Sequence, residues 1–367
     1  MAMFSMFFGA GNIVIPLGLG QVSGEHTAVA LLGLIVTAVG VPFLGIFAML
    51  LYGGDYKAFF GRLGKWPGFL VALLIMGLIG PFGGLPRCIA LSFSTTKMFL
   101  EELSIIPFSL FTCLFIYLTT IKKSRVCDFV GWVLSPIFLL AFLFIILIGF
   151  IDTRAEILPS ALSSTEAFFL GLTSGYNTMD LLGSFFFSTV VVGSLKQLSC
   201  STSGAFDRPL LLKNALISSG IGAFLLASLY VGMSFIAALH SSQMTEFSSD
   251  KLLAAISLHL LGKYAGIITC LAVVFACITT AIALASVFAE FAKSLLFRDK
   301  ISYKTALIGT LTISFFVSTL EFQGILQFLI PIVQILYPIL IVLCIVNVVQ
   351  SALREPVSPS LLRSAAK

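Results

Sequence analysis

Three short stretches of this 367-residue chain bring glycine or proline together with side chains that hydrogen-bond or carry charge. The first is Gly9-Ala10-Gly11-Asn12, with Pro16 just beyond. Two glycines and an asparagine are poor helix formers. A helix restarting there would offer free backbone amides and a positive dipole end, which suit a carboxylate. The bland alternative is small-residue packing between helices. The second stretch is Ser174-Gly175-Tyr176-Asn177-Thr178-Met179-Asp180. A glycine lies among five hydrogen-bonding side chains there, one of them a carboxylate. An Asp at the centre of a membrane helix costs about 2.5–3.5 kcal/mol, so it should face a cavity or a partner; the alternative is a loop between two short helices. The third is Pro81-Phe82-Gly83-Gly84-Leu85-Pro86-Arg87, where two prolines remove donors and two glycines loosen a helix. Arg87 is the one basic residue, and Asp180 the one acidic residue, well inside an apolar run. Either an Arg87–Asp180 pair or bonds from Arg87 to freed carbonyls of its own helix would answer the charge.

The elements that hold these residues follow from composition. Apolar residues make up 59% of the chain and charged residues only 10%, and mean hydropathy is +1.10. Soluble domains carry about 25% charged residues, so most of this surface faces lipid. Ten apolar runs long enough to span a bilayer fall at 2–20, 27–52, 67–96, 105–121, 129–151, 167–195, 211–239, 264–292, 303–320 and 324–349. With the N-terminus inside, sixteen of the 21 Lys and Arg lie in cytoplasmic segments; Lys97, Arg154, Lys251 and Lys263 lie outside, and Arg87 lies within a span. That asymmetry obeys the positive-inside rule and places both termini in the cytoplasm. Asp250 to Leu261 reads as a short amphipathic helix at the external face.

Irregular backbone survives at membrane depth only where protein buries it or it lines a polar cavity. The breaks in spans one and six are five spans apart, and five spans invert orientation. The chain is therefore expected to be an all-α membrane protein of two inverted five-helix repeats, residues 1–151 and 152–350, with a cytoplasmic tail at 351–367. Helices one and six would be discontinuous, with the substrate at the breaks near the midplane.

Other classes fit poorly. The seven cysteines lack paired short spacing and read as small apolar helix residues. The basic residues lie in short loops, which argues topology rather than nucleic acid. No basic n-region with a cleavage site precedes Phe4, so no cleaved signal peptide is expected. A membrane enzyme would need a polar cluster within the spans, yet His26 and His240 fall in loops and His259 in the surface helix. A channel would need a repeated filter, and none is present.

At the same residues the chain resembles a known family, the branched-chain amino acid:cation symporters (LIVCS). The likeness is carried by Phe8-Gly9-Ala10-Gly11-Asn12-Ile13 with Pro16, by Gly175 to Asp180, and by Pro86-Arg87. Ala276-Cys277-Ile278-Thr279-Thr280-Ala281-Ile282, Pro331 and Tyr337-Pro338 extend it in order along nearly the whole chain. The resemblance implies a LeuT-like fold and uptake of leucine, isoleucine and valine across the inner membrane, coupled to sodium or protons, with no other cofactor. It implies a substrate site at Gly9, Ala10, Gly11, Asn12, Gly175, Tyr176, Asn177, Thr178 and Asp180. It also implies a sodium site from the Thr279 and Thr280 hydroxyls and the backbone carbonyls of Ser5 and Phe8; adjacent threonines otherwise back-bond to the preceding turn. The amides near Gly11 and Asn12 would take the carboxylate, carbonyls from Gly175 to Thr178 the ammonium, and Phe7 and Met179 the aliphatic group. Asn12 and Asp180 are candidate extra cation ligands, and Asp180 a candidate proton carrier. Two departures stand out. Family members have a longer first half-helix than the eight residues before Gly9 allow, the pattern of a fragment or a misassigned first methionine. They also usually have twelve spans rather than ten. A transporter of another small neutral solute is the nearest rival reading.

Overall fold

The computed structural model describes residues 8–121, 135–151, 157–198 and 208–353. Among the described residues every regular element is helical. Helix α1 (Ala10–Ser23) and α2 (Thr27–Ile35) are joined by a one-turn 3₁₀ segment; α2 passes through a π-turn at Val36–Gly40 into α3 (Val41–Leu51). This run of 42 residues would measure about 63 Å if straight, roughly twice a hydrocarbon core. It therefore folds back on itself. The turn is made at Gly24, which has φ +47° and lies so close to the Leu158 carbonyl that a Cβ has no room.

A short helix α4 (Tyr56–Gly61) leads into α5 (Lys65–Ile79), which is separated from α6 (Gly84–Lys97) by the turn at Gly80–Gly83. Then come α7 (Ile105–Ile121), α8 (Ser135–Ile151), α9 (Ser164–Tyr176), α10 (Asp180–Leu198) and α11 (Arg208–Leu239). The chain continues through α12 (Leu252–Phe291), α13 (Tyr303–Ser318) and α14 (Glu321–Leu353). Several bounds coincide with the apolar runs, because there hydropathy alone sets helix length. Ser5, Phe7, Cys127, Cys200, most of the expected tail and the start of span five lie outside the described residues.

Large apolar side chains cover much of the outside, while several polar ones lie inside. Phe224, Tyr264, Phe316 and Ile335 are each more than 60% exposed, whereas Asn12, Arg87, Thr178 and Asp180 are buried. Lipid is the only solvent in which that arrangement is stable. Trp66, in the first turn of α5, is exposed at a level that suits an interfacial aromatic. The five described cysteines are free and buried.

One expectation changes. The segment read as a surface helix forms the start of α12, set off from the span by a kink at Gly262 (φ 72°, ψ −179°). Its face from Leu252 to Ser257 is buried rather than laid on the surface. Leu253 and Ile256 share a small apolar gap with Leu17, Phe142, Ile146 and Met233, and Gln323 Nε2 donates to Asp250 Oδ1 at 2.8 Å to tie its start to α14. The apolar stripe found a protein partner instead of lipid.

Candidate functional site

Helix α1 begins abruptly. Gly9 is its N-cap in extended conformation, and no side chain caps the helix. The Asn12 backbone amide already donates to the Gly9 carbonyl at 3.1 Å. The start of α1 therefore keeps fewer free amides for an anion than its sequence suggests.

The second break runs from Asn177 to Met179, between α9 and α10. Met179 adopts φ +64°, a conformation that costs a side-chain-bearing residue energy and marks a chain forced by its surroundings. Thr178 secures the turn: its hydroxyl donates to the Gly175 carbonyl at 2.9 Å and accepts the Asp180 amide at 3.4 Å. From α14, the Tyr337 hydroxyl accepts the Leu181 amide at 3.2 Å, and its ring packs on Tyr176 with centroids 4.8 Å apart.

The breaks meet through side chains and through one missing side chain. Asn12 Nδ2 donates to Asp180 Oδ2 at 2.9 Å, and the Tyr230 hydroxyl of α11 donates to the same oxygen at 3.2 Å. Arg87, in α6, reaches across to donate from Nη1 to the Asn177 carbonyl at 2.8 Å. Gly11 faces both: a Cβ there would sit 2.8 Å from Arg87 Nη2 and 3.0 Å from the Thr178 carbonyl oxygen. Only glycine lets these backbones close to this distance.

Between them lies a cavity of about 60 Å³, room for roughly four to six water-sized groups. Gly9, Ala10, Gly11, Asn12, Arg87, Thr178, Met179, Asp180 and Thr280 line it, with Ile79, Gly84, Cys88, Gly183, Phe187 and Leu284 as the rest of the wall. The other expected residues stand behind that lining. Gly175 packs on Thr37, Tyr176 stacks on Tyr337, and Asn177 meets Arg87 through its carbonyl. Arg87 and Asp180 do not pair; the described ion pairs are His26–Glu25 and Lys293–Asp299. The Thr280 hydroxyl lies 3.4 Å from the Phe8 carbonyl and 3.0 Å from that of Ala276, while Thr279 bonds back to Ala276 at 2.8 Å. Sequence reading missed Tyr230, Cys88 and Phe187, and it named Tyr337 only as part of the family resemblance, without a role. A lone polar atom in a long apolar run was the only signal for Tyr230.

Over residues 1–361 the chain matches the family model described as branched-chain amino acid transport protein. The chain belongs to this family. Among its relatives are two branched-chain amino acid permeases of Bacillus subtilis (strain 168). BraB is 30% identical over 362 residues, covering 96% of this chain and 79% of the relative. BrnQ is 30% identical over 360 residues, covering 96% and 80%. These relatives are transporters, not enzymes. The fold is shared with inward-facing Mhp1, at a TM-score of 0.64 and 14% identity over 90% of this chain and 71% of that one. A closed form of Mhp1, a nucleobase-cation-symport-1 family transporter with bromovinylhydantoin bound, aligns with a TM-score of 0.61 at 14% identity, covering 90% and 74%. At that identity the likeness speaks for the LeuT-type fold alone. With family and fold given, the chain is a multi-pass membrane transporter, and its cavity is lined both by polar groups and by the apolar side chains of Ile79, Met179, Phe187 and Leu284.

Proposed function

We propose that this protein imports leucine, isoleucine and valine across the inner membrane by symport with sodium or protons, through alternating access. The observation that carries the reading is the convergence of two interrupted segments, Gly9–Asn12 and Thr178–Asp180, on one cavity lined by both polar and apolar side chains. Family membership supplies the branched-chain side chain, and the apolar lining is where it would lie.

The architecture behind this reading is ten spans in two inverted repeats, residues 1–151 and 152–350, with helices one and six discontinuous. Both termini, including a tail at 351–367, would be cytoplasmic. Helix packing supports it. If span n corresponds to span n+5, a contact between spans one and seven must be mirrored by one between six and two. Gly20 of α1 lies against the Ser234 carbonyl of α11, and Gly171 of α9 lies against the Ala30 carbonyl of α2. The self-mirrored pairs, three with eight and four with nine, are also in contact as α6 with α12 and α7 with α13.

For coupling, the proximity of Thr280 to the Phe8 carbonyl favours a cation bridging spans one and eight. Binding there would draw α12 and the first break together and bias the outward state, and the ion gradient would then drive the cycle. Asp180, linked to Asn12 and Tyr230, is the alternative carrier if the coupling ion is a proton.

The test is uptake of radiolabelled leucine into proteoliposomes, with sodium and proton gradients imposed separately. Accumulation under one gradient and not under neither is expected. No accumulation under either would sink the symport reading.

A further inference from the structure

Arg87 is only 2% exposed, a cation at the heart of a membrane protein, where burial without compensation is costly. Part of it is answered. Nη1 donates to the Asn177 carbonyl at 2.8 Å and touches Met179 Sδ at 3.1 Å, and the guanidinium rests over the Phe322 ring at 5.5 Å. Nε and Nη2 have no hydrogen-bond partner in the protein, although both are fully buried. A guanidinium with one edge satisfied and the other bare is not a finished structural contact.

One end of the bare edge borders the site. Nη2 abuts the space left by the missing Cβ of Gly11, and Arg87 lines the cavity. Asp180, the one anion nearby, accepts from Asn12 and Tyr230 and forms no ion pair with Arg87. The first break is the weaker donor, since the Asn12 backbone amide is already spent on the Gly9 carbonyl. Nε and Nη2 together form the planar two-donor fork that fits a carboxylate bidentately.

We propose that Arg87 binds the free α-carboxylate of the substrate on its Nε–Nη2 edge, making a free carboxylate the entry requirement of the site. This rests on the cavity being the substrate site. It shifts the anchor for the carboxylate from the amides of the first break to a side chain of the third broken span. Solutes of similar size and apolarity that lack a carboxylate, such as amides, esters and hydantoins, are then excluded by an unpaired buried cation rather than by shape.

The experiment is equilibrium binding of radiolabelled leucine to the purified full chain, with unlabelled leucine and leucinamide as competitors, in wild type and Arg87→Gln. Wild type is expected to prefer leucine over leucinamide by about 100-fold, the loss of two charge-assisted hydrogen bonds. Arg87→Gln should lose about 100-fold in leucine affinity and discriminate between the two by less than about 3-fold, while eluting as a monodisperse protein. Wild type that binds both competitors equally, or Arg87→Gln that keeps the wild-type preference, overturns the proposal and leaves the transporter reading standing. Wild type that binds no branched-chain amino acid overturns the transporter reading and this inference with it. Should Arg87→Gln not purify as a folded protein, Arg87→Lys takes its place: it keeps the charge but not the fork, and unchanged leucine affinity would overturn the proposal. If neither variant folds, the wild-type comparison decides.

Discussion

Two arginines in this molecule do opposite things with the same side chain. Arg62, in the turn after α4, donates from Nη1 to the Tyr52 hydroxyl and to Asn347 Oδ1, the latter at 3.1 Å, and lies over the Tyr52 ring at 5.7 Å. It ties the end of α3 to α14, and it is only partly buried, so water reaches its other donors. Arg87 also sits over an aromatic ring and also binds across two elements, but one edge of its guanidinium is buried and bare. The difference separates a clasp from a site. A satisfied arginine holds helices together; an arginine that lines a cavity while two of its donors stay buried and unpaired is held ready for something that is not part of the chain.

Exchanging the two residues' fates is the severest way to break that comparison. Arg87→Gln should lower leucine affinity about 100-fold, while Arg62→Gln should leave it within about 3-fold, both read by equilibrium binding. Next in size is Asp180→Asn. An amide cannot present a charged acceptor to both Asn12 and Tyr230, and initial rates of leucine uptake should fall at least about 10-fold. Thr280→Ala should raise the sodium concentration for half-maximal uptake about 10-fold, since its hydroxyl faces the Phe8 carbonyl. Thr279→Ala, whose hydroxyl turns back on Ala276, should change it little. Full sodium stimulation in the double Thr279→Ala, Thr280→Ala variant would remove this cation site. Tyr52→Phe should cost about 1 kcal/mol of stability by thermal or denaturant midpoint, with leucine affinity unchanged. The smallest effect concerns the start of α9. The Ser163 backbone and hydroxyl hydrogen bonds hold the Glu166 carboxyl below its ordinary range. A lowered folded-state value means the contribution is present above the ordinary carboxylate range and is lost as pH falls through the lowered one. Ser163→Ala should therefore abolish a small acid-dependent step in α9 protection, measured by hydrogen exchange.

Much of this was legible in the chain because apolar spans make polar residues conspicuous. Gly9–Asn12, Pro81–Arg87 and Ser174–Asp180 stood out for that reason, and each contributes some of its residues to the cavity lining. What composition hides is rotation about the helix axis. Gly175, Tyr176 and Asn177 share the second break with Thr178, yet they face other helices, and a one-residue step decides which. Tyr230 drew no notice in its apolar run, and Tyr337 entered only through the family resemblance; only the meeting of α11 and α14 with the second break gives their hydroxyls work. The amphipathic stripe from Leu252 to Ile256 was visible too, but whether lipid or protein would cover it is a tertiary fact. The spent amide of Asn12 and the bare edge of Arg87 depend on which donors the fold has already used.

The central claim is that the gap between the two breaks is where the amino acid binds, and a pair of alanine substitutions tests it most directly. Gly11 faces Arg87 and the Thr178 carbonyl, whereas a Cβ at Gly309 of α13 meets no atom within 4 Å. Equilibrium binding of radiolabelled leucine to purified Gly11→Ala and Gly309→Ala should show affinity lost by at least about 10-fold in the first and unchanged in the second. Gly11→Ala that binds leucine as wild type does would contradict the account.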